Sequence, residues 1–314
     1  MEQLEPTTLI TDTLSIGGTP VVRLENDHLI VDVAPSIGGR ILGISEKKTS
    51  HQFLWRNRDL KLQKLEPGSS YDPNFYGGID EIIPNDNAEE FNGKSLSDHG
   101  ELWTTPLTPT IEGETLTVEG DLPVSGLHYK KTVSLRKDSS HCDLDYEISN
   151  PTGHPIDFQW KLHPAVNINE GDTIICPAES AQVADLDWSR FTTVDPFKWP
   201  EIEGLQANLI PLSAGTTDSF YLWDLASGIV SWQNAAETLC FGLCFDTDVF
   251  PYVYYFASYG GFGDHTVAIL EPCTAMPVSL NESAAKGQCA TLQPGEVLET
   301  RVAIYAGSMS PERS

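Results

Sequence analysis

Three short stretches of the chain carry residues suited to acid and base chemistry. SDHGELWTTP holds His99, Gly100 and Trp103 at a turn before a proline. WKLHPAVN holds His163, and VAILEPCTAMP holds Glu271. Imidazoles and carboxylates exchange protons near neutral pH, so the two histidines and the glutamate are candidates for general acid and base groups.

The sequence around Glu271 suits a proton acceptor. An apolar run precedes it and Pro272 follows it. Burial disfavours the charged form of a carboxyl group, so a buried Glu271 would have its pKa raised towards the pH at which a general base works. On the second stretch, strand alternation puts Trp160 and Leu162 on one face and His163 on the opposite face.

The His99 stretch admits two interpretations. Turn formers surround His99, so its ring could simply face water while Trp103 begins the core of the next strand. Alternatively, Gly100 permits a turn that holds His99 towards a ligand, and Trp103 contacts that ligand with its indole ring.

Eight stretches rich in β-branched and aromatic residues are predicted to be the strands that position these side chains. They are HLIVDVAP (28–35), HYKKTVSLRK (128–137), HCDLDYEISN (141–150), IDFQWKLHPAV (156–166), TLCFGLCFD (238–246), YVYYFASY (252–259), TVAILEP (266–272) and EVLETRVAIYAG (296–307). Turn signals such as NPTGHP and GGFGD separate them, and no long pattern of helical period occurs. The sequence therefore predicts an all-β fold, a large antiparallel β-sandwich, in a single domain over residues 1–314.

Residues 59–95 form the least regular part of the chain. Long irregular segments inside compact domains are often functional loops, so we expect this one to overhang a site. Its carboxylates lack the spacing of a calcium-binding loop. We predict that they form a solvated acidic loop, with the members Asp80, Glu81, Asp86, Glu89 and Glu90.

Charge and cysteine content argue against several classes of function. The 314 residues include 45 Asp and Glu against 19 Lys and Arg, a formal net charge of −26, which repels nucleic acids and anionic membranes. The first residues lack a basic start and an apolar run, so we expect no leader peptide, and no apolar segment approaches the roughly 20 residues that span a bilayer. Cys240 and Cys244 would lie about 13 Å apart on one strand, too far for a disulfide. We predict a reduced, cytoplasmic protein with no zinc cluster, and we assign no metal ligands; the sequence carries no signal for a bound metal or for an oligomeric state.

Together, these features resemble the aldose 1-epimerase (galactose mutarotase-like) family. The family pattern is a His-Gly turn, a later His-Pro-x-x-Asn strand, and a Glu near the end of a C-terminal strand followed by a proline-bearing turn. Here it falls on His99 and Gly100, on His163 to Asn167, and on Glu271. The likeness runs from VDVAPSIGGRILGI to LQPGEVLETRVAIYAG, nearly the whole chain.

The resemblance implies a galactose mutarotase-like supersandwich that interconverts sugar anomers without a cofactor. Glu271 would take the proton of the C1 hydroxyl, and His163 would protonate the ring oxygen. The ring would then open, rotate about the C1–C2 bond and close as the other anomer. The remaining candidates for contact with the sugar are His99, Trp103, Asp80, Asn167 and Asp218.

Two departures from the family bear on the substrate. Ala165 and Val166 stand where the family has an aromatic pair, and residues 77–85 lack the arginine that many members carry there. We interpret Arg40, in a different turn, as structural. Phosphate recognition usually recruits arginine or lysine, and neither clusters near the three stretches. The predicted ligand is therefore a small sugar that is not phosphorylated, and galactose is not specified.

Two other functions stay open. A non-catalytic carbohydrate-binding protein of the same fold is favoured if Glu271 faces solvent. A lyase or hydrolase would need a tyrosine or a second carboxylate near His163, and Tyr76 and Asp80 are the candidates for that role.

Overall fold

The computed structural model describes residues 7–212 and 214–309. Over these residues the first half of the chain contains the strands β1 (Leu9–Ile16), β2 (Thr19–Glu25), β3 (Leu29–Ala34), β4 (Arg40–Glu46), β5 (His51–Gln52), β6 (Ile79–Ile82), β7 (Glu89–Phe91), β8 (Lys94–Leu96), β9 (Thr108–Glu112), β10 (Thr115–Asp121), β11 (His128–Leu135), β12 (His141–Ser149) and β13 (Ile156–Phe158). The second half contains β14 (Lys161–Asn167), β15 (Thr173–Ile175), β16 (Ala178–Val183), β17 (Phe197–Lys198), β18 (Glu201–Ile202), β19 (Leu205–Gln206), β20 (Thr216–Leu225), β21 (Ile229–Gln233), β22 (Leu239–Cys244), β23 (Tyr252–Tyr259), β24 (Thr266–Cys273), β25 (Ala290–Leu292) and β26 (Val297–Ser308). One short helix, α1 (Leu280–Ala285), and three 3₁₀ turns (Asp72–Asn74, Leu102–Thr104 and Leu186–Trp188) complete the described elements.

Two large antiparallel sheets form the sandwich that the sequence predicts. A 12-stranded sheet has the order β1-β2-β3-β4-β6-β14-β24-β23-β20-β16-β17, with β5 paired to β4. An 8-stranded sheet has the order β15-β21-β22-β26-β12-β11-β10-β9. Three two-stranded ribbons, β13-β25, β18-β19 and β7-β8, flank them.

The main core lies between the two large sheets because each sheet presents alternate apolar residues to the other. Leu24, Val31 and Ile44 come from the larger sheet, and Leu144 and Ile304 come from the smaller one. These side chains are almost fully buried. The outer face of the larger sheet is therefore free to carry a site.

Seven of the eight predicted strands agree with the observed strands to within two residues at each end. The prediction of one strand over residues 156–166 is wrong, because the ladder breaks between β13 and β14. At the break the N–H of Gln159 donates to the carbonyl of Pro84 (2.6 Å), and the N–H of Trp160 donates to Oγ1 of Thr274 (2.9 Å). The prediction of which side chains face the core still holds, since Trp160 and Leu162 pack in the core and His163 lines the cleft on the opposite face.

The predicted solvated acidic loop is largely wrong. Glu90 is exposed, but Asp80, Glu81 and Asp86 are 2%, 1% and 7% exposed. Each of the three is paired with a cation from elsewhere in the chain, and the pairs are Arg40 with Asp80, Lys131 with Glu81, and Lys161 with Asp86. A buried carboxylate is tolerated when such a partner offsets its desolvation.

In the described part of the chain, the structure contains no helix with the length and apolar character needed to cross a membrane. The six cysteines are all free. Among the same described residues, no group of His, Cys, Asp and Glu side chains has the arrangement of a metal site.

Candidate active site

One row of side chains crosses five neighbouring strands of the larger sheet. Asp80 on β6 pairs directly with His163 on β14, and the register of β14 with β24 sets His163 opposite Glu271. Glu271 pairs in turn with Tyr254 on β23, which pairs with Tyr221 on β20. The sheet register therefore brings together residues that are far apart in the sequence.

A cleft of about 300 Å³ lies over this row. Its acidic lining residues are Asp72, Asp86, Asp98, Asp185 and Glu271. His99 and His163 also line it, and aromatic rings form much of its wall, among them Trp188, Tyr254, Phe256 and Phe262. Part of the irregular segment, including Asp72 and Asp86, contributes to the wall, so that segment does border the cleft.

His163 is held from behind by a buried carboxylate. Its Nδ1 lies 3.1 Å from Oδ1 of Asp80 and 3.2 Å from the Tyr71 hydroxyl. Oδ2 of Asp80 accepts hydrogen bonds from Arg40 (2.6 Å) and from Tyr71 (2.8 Å). Burial favours the neutral acid, but the Arg40 guanidinium and His163 outweigh it and hold the pKa of Asp80 far below its usual range. Since the ionised Asp80 accepts a hydrogen bond from the Nδ1–H of His163, Nε2 is the nitrogen left for the cleft.

Glu271 is only 2% exposed and borders the cleft. It lies within β24, two residues before that strand ends at Cys273. Burial raises the pKa of Glu271, and the Lys161 ammonium and His163 offset part of that rise. Nζ of Lys161 lies 3.4 Å from Oε2 of Glu271. The raised pKa makes Glu271 a better proton acceptor than an exposed carboxylate, as a general base requires.

His99 enters the cleft from a strained turn. Its φ is +58° and that of Gly100 is +69°. A Cβ on residue 100 would lie 2.1 Å from the carbonyl oxygen of Ile83, so only glycine fits there. The His99 ring stacks on Tyr71 at a centroid distance of 3.8 Å. Burial lowers the pKa of His99, but the hydrogen bond with Asp98 (3.0 Å) and nearby carboxylates raise it overall.

Trp103 does not line the cleft. It is 3% exposed and packs edge-on against Tyr71 at a centroid distance of 5.1 Å. The interpretation of Trp103 as a core residue is the one that the structure supports. Tyr71, which is absent from the sequence-based candidates, occupies the position between Trp103 and the cleft.

Three other residues predicted to contact the sugar do not line the cleft, and their polar atoms bond to other parts of the protein. Asp80 lies behind His163, as described above. Nδ2 of Asn167 donates to the carbonyls of Gln52 (3.0 Å) and Leu54 (3.1 Å). Asp218 pairs with Arg190 (3.0 Å) and accepts a hydrogen bond from Tyr259 (3.0 Å). Their polar atoms are thus engaged in holding strands and turns together.

Sequence reasoning missed Lys161, Asp86 and Trp188. Lys161 precedes His163 by two residues, so strand alternation alone places both on one face and gives a usable signal. Asp86 was grouped with solvated carboxylates, and its burial depends on a cation 75 residues away. Trp188 lies in a 3₁₀ turn of an irregular stretch, where no sequence pattern distinguishes it.

Comparisons with known proteins agree with this architecture. Residues 18–84 match a protein family described as "domain of unknown function (DUF5107)". A galactose mutarotase-like protein from Clostridium acetobutylicum is 15% identical with a TM-score of 0.72, covering 96% of this chain and 99% of that one. A protein provisionally named aldose 1-epimerase from Klebsiella pneumoniae is 14% identical with a TM-score of 0.71, covering 95% and 83%.

A galactose mutarotase related enzyme from Lactobacillus acidophilus is 13% identical with a TM-score of 0.65, covering 94% of this chain and 99% of that one. At such identities the shared property is the fold. The resemblance drawn from the three sequence stretches is therefore confirmed at the level of architecture: the chain has the galactose mutarotase-like fold.

Proposed function

We propose that this protein interconverts the anomers of an uncharged aldose by opening and closing its ring. The observation that carries the proposal is the pairing of His163 and Glu271 on neighbouring strands under one cleft. One side chain can donate a proton while the other accepts one, and this reaction needs both at once.

Each side chain has a distinct role in the proposed step. Ionised Glu271 accepts the proton of the C1 hydroxyl while Nε2 of protonated His163 gives a proton to the ring oxygen. The bond between C1 and the ring oxygen breaks, leaving the open-chain aldehyde. Rotation about C1–C2 and the reverse transfers close the other anomer and restore both groups. Since Glu271 must be ionised to start, activity falls as the pH drops through its raised pKa.

The charges around the cleft favour an uncharged sugar. Five carboxyl groups line it, and among the described residues no lysine or arginine does. Carboxylates accept hydrogen bonds from sugar hydroxyls, whereas a phosphate beside them would be repelled. His99 can add a donor to the hydroxyls, and Trp188 offers an aromatic plate for the apolar face of the ring.

The two alternative functions find less support. Burial of Glu271 is the opposite of the solvent-facing glutamate expected for a protein that only binds sugar. For a lyase, the tyrosine beside His163 is Tyr71 and not Tyr76. Burial and the Asp80 charge raise the pKa of Tyr71 well above its usual value, so it is a poor group to take a proton from carbon.

Replacement of Glu271 by glutamine tests the proposal. Glutamine keeps the shape but accepts no proton at neutral pH, so the Glu271→Gln turnover should fall by about 100-fold or more. The rate at which fresh α-aldoses reach anomeric equilibrium gives the readout, by polarimetry or magnetisation exchange, with circular dichroism to confirm folding. Glu282→Gln, at a side chain that is 65% exposed on α1, is the matched control and should leave turnover unchanged. A folded Glu271→Gln protein as fast as the parent would contradict the proposal.

A further inference from the structure

A lysine ammonium lies buried beneath the cleft, beside two carboxylates that line it. Lys161 is 1% exposed, and its Nζ contacts Oδ2 of Asp86 and lies 3.4 Å from Oε2 of Glu271. The same Nζ lies 4.3 Å from the centre of the Tyr254 ring. Lysine is rarely buried without a partner, so this position requires an explanation.

The two carboxylates hold the ammonium unequally. Asp86 makes the closer contact, and Lys161 lowers its pKa against the effect of burial. Glu271 lies further away, and burial raises its pKa overall. One ammonium therefore lies beside two carboxylates. Because the pKa of Glu271 is raised and that of Asp86 is lowered, Glu271 is the first of these two carboxylates to take a proton as the pH falls.

We propose that Lys161 is a positioning residue for Glu271: its ammonium holds Oε2, which leaves Oε1 for the sugar, and Asp86 limits how strongly it acts. The proposal rests on the proposed function of Glu271 as the base. The titratable and charged groups around Glu271 come from β14, β23, its own strand β24 and the segments before and after β6; they are Lys161, His163, Tyr254, Cys273, Tyr71, Asp86 and His99.

This arrangement predicts opposite effects for its two members. Lys161→Met removes the cation, so the pKa of Glu271 should rise. Asp86→Asn removes a competing anion and leaves the ammonium to Glu271 alone, so the pKa of Glu271 should fall. Lys161→Arg keeps the charge and should leave the pKa near that of the parent. A residue that only supports packing would produce losses in activity without such opposed shifts.

The experiment is the pH profile of kcat/KM for the parent and the three variants on one aldose. The acidic limb should move up by about one to three pH units in Lys161→Met and down in Asp86→Asn. Limbs that stay in place, or that move in the same direction, would overturn the proposal.

A second readout is independent of turnover. The carboxyl carbon of Glu271 can be titrated by NMR in ¹³C-labelled protein, assigned by its loss in Glu271→Gln. It should show the same opposed shifts. If Lys161→Met does not fold, Asp86→Asn and Lys161→Arg still decide the question. If the parent turns over no aldose, the proposed function fails, while the NMR titration separately decides the effect of Lys161.

Discussion

Oδ1 of Asp80 lies 3.1 Å from Nδ1 of His163, directly across from it on the neighbouring strand. An ionised carboxylate at this place selects the ring form whose Nε2 faces the cleft and stabilises the charged imidazole. Asp80 is therefore a positioning residue in the proposed reaction. Its place behind the ring also explains why it reaches no sugar itself.

Asp80→Asn should lower kcat by about 100-fold or more, because the amide neither fixes the ring form nor stabilises the imidazolium. Anomerisation rates at saturating sugar give the measurement. Tyr71→Phe is the comparison: it removes the hydroxyl that contacts both Oδ2 of Asp80 and Nδ1 of His163 but leaves the carboxylate, so its loss should be much smaller. Asn leaves Arg40 without its buried anion, so thermal melts must show that the variant is folded. Equal kcat in a folded Asp80→Asn protein would exclude this role.

Trp188, and not Trp103, should hold the apolar face of the sugar. Trp188 is 38% exposed on the cleft wall and packs edge-on against Phe262 at 5.7 Å. Trp188→Ala should raise KM roughly tenfold, the value of one aromatic contact, with a smaller change in kcat. Trp103→Phe is the matched control, because its buried indole N–H makes no hydrogen bond with the described residues. A larger rise in KM for Trp188→Ala than for Trp103→Phe would support contact of Trp188 with the sugar, and the reverse would contradict it.

An uncharged sugar should bind in preference to its phosphate. Titration calorimetry with glucose and glucose 6-phosphate compares two ligands that differ in one group. The five carboxylates around the cleft should make binding of the phosphate the weaker of the two, and more so at low ionic strength, where repulsion is less screened. A clear preference for the phosphate would exclude the proposed substrate class.

Gly100 should tolerate no side chain. In Gly100→Ala the new Cβ would meet the Ile83 carbonyl at 2.1 Å with a φ of +69°. Strain and overlap together should lower the free energy of unfolding by about 3 kcal/mol or more. Gly93→Ala has a similar φ of +76° but open space, so it should cost only about 1–2 kcal/mol. Urea unfolding of both variants separates the steric overlap with Ile83 from the backbone strain that both share. Equal losses in the free energy of unfolding would refute the role of the overlap.

Local pattern in the sequence was enough to predict seven of the strands and the buried face of the stretch around His163. Side chains alternate with a period of two along a strand, so the apolar residues around His163 and Glu271 mark the side that is buried. The same locality explains why these two residues and His99 could be chosen as the chemical groups. Each stands out by type among its immediate neighbours, and all three line one cleft.

Tertiary structure alone decided which charged and aromatic residues serve the site. Asp80, Glu81 and Asp86 resemble a solvated acidic loop until Arg40, Lys131 and Lys161 are brought to them from other strands. The structure likewise buries Trp103 against Tyr71 and leaves Trp188 on the cleft wall. Sheet register and distant ion pairs determine these positions, and both arise from contacts between residues far apart in the chain, which local pattern does not encode.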